Sequence, residues 1–118
     1  GLALSERVLA TQPHHPLALN NAAWIMATAT NEALRNGPRA AEYAQRAVEL
    51  LGRSSPAAWA TLAAAQAEAG HFDEATATAR LALDMVRENN DAGRIAQYEA
   101  RLEAYQQGRA WRDEGSDR

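Results

Sequence analysis

Pro16-Leu17-Ala18-Leu19-Asn20-Asn21-Ala22-Ala23 and Pro56-Ala57-Ala58-Trp59-Ala60-Thr61-Leu62-Ala63 follow one pattern, 40 residues apart. Each runs proline, two residues, a large apolar residue, two variable residues, then an apolar residue and alanine. A second echo lies downstream of both copies: Ala40, Ala44, Ala47 and Val48 return as Ala75, Ala79, Ala82 and Leu83, at an offset of 35. A period in this range marks a stack of helical hairpins, and the predicted fold is an all-α solenoid.

Composition agrees. Of the 118 residues 47% are hydrophobic, and alanine supplies much of that share. Alanine forms helices best and buries little surface, so the chain reads as closely packed helices around a thin core. No alternating run of β-branched and aromatic residues suggests a strand. The net charge is −3 and every basic residue is arginine, a usage expected of a GC-rich, bacterial genome. The arginines are dispersed, with no basic stripe to hold nucleic acid. With no cysteine, disulfides, thiolate zinc sites and cysteine nucleophiles are excluded. No apolar run approaches the roughly 20 residues that span a bilayer.

Prolines, glycines and capping residues divide the chain into about six helices. Leu4, Val8 and Leu9 share a face of the first, which stops near Pro13. Pro16 opens a helix to about Ala29, since the first turn needs no proline N–H. A loop over Thr30–Gly37 precedes a helix from Pro38 to Leu51, where Glu42 and Arg46 are spaced to pair. Gly52 is expected to end it as a left-handed cap, and Ser55 to cap the next helix, which runs to Gly70. Phe72–Glu88 follows, then a last helix over Asp91–Gln107 with Ile95, Tyr98, Leu102 and Tyr105 on one side. The polar residues 109–118 are expected to fray, apart from Trp111.

Trp59-x-x-Leu62-Ala63-x-x-Gln66, followed by Gly70, Ala75, Ala79, Ala82 and Leu83, resembles the tetratricopeptide repeat. That family's usual aromatics are missing at Gln66 and Ala79, and its late proline is replaced by Arg87. Helices approach to roughly 8–10 Å where small residues meet, and Ala63, Ala75 and Ala82 take those crossing positions. The resemblance implies a second helix of a truncated repeat at 1–12, repeats at 16–52 and 55–88, and a capping helix at 91–107. About five extra residues fall between the helices of the first repeat. Counting back from Pro13 places Gly1 in mid-repeat, so the chain is expected to be the C-terminal end of a longer array. Its exposed N-terminal helix, with Leu2, Leu4, Val8 and Leu9, is then a surface for self-association.

The resemblance also implies a concave groove lined by the first helix of each hairpin. Its residues would be Leu17, Asn20, Asn21, Trp24, Ala27 and Thr28, then Ala57, Ala60, Thr61, Ala64, Ala67 and Glu68. Asn21 stands where some family members grip a peptide backbone, since one amide both donates and accepts; a solvated asparagine is the alternative. Trp24 is either an exposed anchor for a partner or is buried by the Thr28–Gly37 loop folding back, and burial is preferred. His14-His15 and His71-x-Asp73-Glu74 offer no convergent ligand set, and capping or surface roles suit them better. Ser5, Ser54, Ser55 and Ser116 have no flanking pattern of a nucleophile.

The function expected is a non-catalytic scaffold for a protein or peptide partner, without cofactor, metal, nucleic acid or membrane. The alternatives are an accessory repeat domain of an enzyme encoded upstream and a self-assembly module.

Overall fold

A computed structural model describes residues 1–52 and 54–117, with the side chains of Ser116 and Asp117 left out. Residue 118 of the expected tail lies outside the described residues. The described residues form six α-helices and no strand: α1 (Leu2–Thr11), α2 (Pro16–Thr28), α3 (Gly37–Leu51), α4 (Pro56–Glu68), α5 (Phe72–Glu88) and α6 (Ala92–Gln106). Short 3-10 turns lie at Glu32–Leu34 and Glu114–Asp117.

Local chemistry sets the helix ends. The Ala18 N–H donates to His15 Nδ1 at 3.1 Å, and the Ala58 N–H donates to Ser55 Oγ at 3.4 Å, each just before a first-turn proline. Asn36 and Asp91 cap α3 and α6 in the same way. At the other ends, α4, α5 and α6 close with one double hydrogen-bond pattern. The N–H two residues past the helix's last turn returns to the carbonyl five positions back: His71 to Gln66, Asp91 to Val86, Arg109 to Ala104. Gly52 departs from expectation. Its φ of +85° is positive, but ψ of 156° leaves the backbone extended, outside the left-handed helical region.

The paired sequence stretches become α2 and α4, both 13 residues long. Eight residues join α2 to α3, whereas three join α4 to α5. Neighbouring helices pack in chain order, and α2 also packs against α4. Ala22, Ala23, Met26, Ala44, Val48 and Leu62 meet in a first cluster. Ala63, Ala67, Ala75, Ala79, Ala104 and Tyr105 form a second, and Ala60, Ala82, Leu83, Val86 and Tyr98 a third. Helix α4 contributes to all three, and eight of its 13 residues are buried, so it is the central element.

Gly37 shows how tightly the backbones meet. A Cβ added there would lie 2.7 Å from the Ala69 amide nitrogen, where the start of α3 rides on the end of α4. No described helix is long and apolar enough to cross a membrane.

Two expectations are corrected. The described residues after Gly108 fold back on the helices: the Asp113 N–H donates to the Thr28 carbonyl at 2.8 Å, and the Glu114–Asp117 turn lies against α2. In α1, only Leu4 of the four apolar residues is fully open. Leu2 and Leu9 are half-buried against the first cluster, because α1 packs on α2.

Candidate functional site

A cleft of about 530 Å³ opens between α1, α2, α4 and α6. Asn20, Asn21 and Trp24 come from α2, Ala57, Ala60 and Thr61 from α4, Tyr98 and Arg101 from α6. Gly1, with Leu4 and Ser5 of α1, closes one wall, and Asp113 and Gly115 another.

Of the groove residues expected from sequence, Asn20, Asn21, Trp24, Ala57, Ala60 and Thr61 line this cleft. Leu17 lies outside it, 61% exposed. Ala64 is buried in the first cluster, because α4 is covered on most sides. Thr28 and Glu68 sit at the helix ends, where the segment after Gly108 crosses. Thr28 is fully buried, its hydroxyl donating to the Trp24 carbonyl at 2.6 Å. Glu68 takes Arg35 at 3.2 Å and Arg112 at 2.9 Å, both on Oε1.

Trp24 is half-buried, but the Thr28–Gly37 loop is not its cover. Its indole N–H donates to Asp113 Oδ2 at 2.9 Å, and the Arg101 guanidinium lies 4.6 Å from its ring centre. The loop turns elsewhere: the Arg35 guanidinium donates to the Ala29 and Thr30 carbonyls and reaches Glu68.

Arg101 carries no mark of a site in the sequence. It stands three residues after Tyr98 and four before Tyr105, a cation inside the apolar stripe of α6. Its guanidinium faces Trp24, Tyr98 at 5.2 Å and Trp111 at 5.9 Å, an arrangement in which aromatic faces stabilise positive charge. Its buried Nε has no hydrogen-bond partner, and none of the ion pairs among the described residues includes it. Burial pulls its pKa below the ordinary arginine value, against opposing effects of Tyr105, Tyr98 and Asp113; arginine stays protonated regardless. Across the cleft, Asn20 Oδ1 is likewise buried without a donor. Asn20 and Arg101, each with one buried, unpartnered polar atom, thus line the cleft together with the exposed Asn21.

His15 spends its Nδ1 on capping α2. Among the described residues, no three of His, Cys, Asp and Glu converge on a point where an ion would sit.

Comparisons with family models, with curated proteins and with solved structures find no match to this chain.

Proposed function

We propose that this chain is a non-catalytic interaction module, built of tetratricopeptide-like hairpins, that holds an extended peptide or protein segment in the cleft between α2, α4 and α6. The helix pairs α2–α3 and α4–α5, which carry the echoed stretches, meet where α4 packs against both α2 and α3. Such stacking puts the first helix of each unit on a shared face.

One observation carries the proposal. Asn20 Oδ1 and Arg101 Nε are both desolvated and both lack partners within the protein. An unsatisfied buried polar group costs about 1–3 kcal/mol, which a ligand offering a backbone N–H and an acceptor would recover. The aromatic rings around Arg101 add apolar contact area of the kind that anchors partners.

The test is a titration of the ¹⁵N-labelled chain with a panel of unstructured peptides differing in charge and aromatic content. Saturable shifts centred on Asn20, Asn21 and Arg101, weakened by Asn20→Ala, are expected. A panel that moves no signal in the cleft rejects it.

A further inference from the structure

One wall of the cleft belongs to an extended segment of the chain itself, seated in a trough across the ends of α2 and α4, and its contacts specify what that trough reads. After Gly108, whose φ of +72° turns the chain back from α6, residues Trp111, Arg112 and Asp113 run consecutively across the ends of α2 and α4. Each makes a different contact. Trp111 packs against the second cluster, near Ala104 and Tyr105, with its ring 5.9 Å from Arg101. The Arg112 guanidinium donates to Glu68 Oε1 at 2.9 Å. The Asp113 carboxylate accepts the Trp24 indole N–H, and its backbone N–H donates to the Thr28 carbonyl. A ring, a cation and an anion in succession thus meet an apolar shelf, an acid and an indole donor, with one backbone hydrogen bond fixing the register.

We infer that this trough recognises an extended aromatic–arginine–aspartate segment of a partner protein, and that residues 109–115 fill it in cis as a displaceable stand-in. The inference rests on the interaction-module reading and names the chemistry of the partner. The stand-in is held on its charged side by one ion pair with a part-exposed arginine and by one indole–carboxylate bond. Such contacts are modest, so its occupancy comes mainly from being tethered, which sets an effective concentration on the order of millimolar. A partner segment must compete with that tether.

The experiment keeps the full chain. Arg112→Ala/Asp113→Ala loosens the stand-in, and a synthetic peptide of residues 109–118 is added in trans, followed through the Trp24 indole ¹⁵N–¹H signal. The indole signal should move in the double variant and return as peptide is added. Binding should be about tenfold or more tighter than to the unaltered chain. A peptide carrying the Asp113→Ala change should not restore the signal. Should the double variant unfold, Asp113→Asn serves the same comparison, with fold checked by circular dichroism.

A folded variant that binds the peptide no better than a scrambled one overturns the inference. If panel peptides still bind at Asn20 and Asn21, only this inference falls; if nothing binds the cleft, the wider reading falls too. Concentration-dependent dimers that keep Trp24 protected would assign the trough to exchange between two copies, and would overturn a separate partner.

Discussion

Trp24 and Asp113 are 89 positions apart, and their hydrogen bond ties α2 to the segment after Gly108. Trp24→Phe keeps the ring and removes the donor to a carboxylate. It should cost about 1–2 kcal/mol in urea unfolding, below the full value of a charged hydrogen bond because the site is half-exposed. Tyr105 poses the opposite case. It is almost fully buried, its hydroxyl has no partner, and burial pushes its pKa well above the ordinary value near 10. Tyr105→Phe removes an unsatisfied group while keeping the packing, so stability at neutral pH should hold or rise by about 1 kcal/mol. The unfolded state loses this proton first, so stability is full below about pH 10 and falls as pH rises toward the folded value. Tyr105→Phe should flatten that alkaline decline in thermal melts; the part from Tyr98, also raised by burial, should persist.

Helix ends carry more of the design than helix middles. First-turn prolines and side-chain caps fix where α2, α3 and α4 begin, and these are read directly from neighbouring residues. Gly37 is different. As a first-turn residue, alanine would be the better helix former there by up to about 1 kcal/mol. The backbone of Glu68 and Ala69 occupies the space, so Gly37→Ala should destabilise by about 1–3 kcal/mol in chemical unfolding. A gain in stability would show that α3 and α4 separate at little cost.

At the scale of the molecule, stacked hairpins contact only their neighbours, and such chains fray from their ends. In this chain the segment after Gly108 bridges α6 to α2 and to the end of α4 through Asp113, Trp24, Arg112 and Glu68. Ending the chain after Gln107 should lower the melting temperature and release α5 and α6 into earlier hydrogen exchange than α2–α4. Equal exchange across all six helices would mean that the bridge adds nothing to cooperativity.

The helices, their starts and the alanine seam were legible in sequence, because capping and 3.6-residue periodicity act over a few positions. The core was legible for the same reason: Leu19, Leu62, Ala63, Ala75 and Ala82 lie on stripes that a helix must bury. Part of the cleft was legible too, in Asn20, Asn21, Trp24, Ala57, Ala60 and Thr61. The rest came only with tertiary structure. Arg101 was one of the dispersed arginines, and Asp113 belonged to the polar stretch after Gly108. Their partners lie 77 and 89 residues away in Trp24. Which distant groups meet is decided by how the helices stack and where Gly108 turns the chain, and no local propensity encodes that.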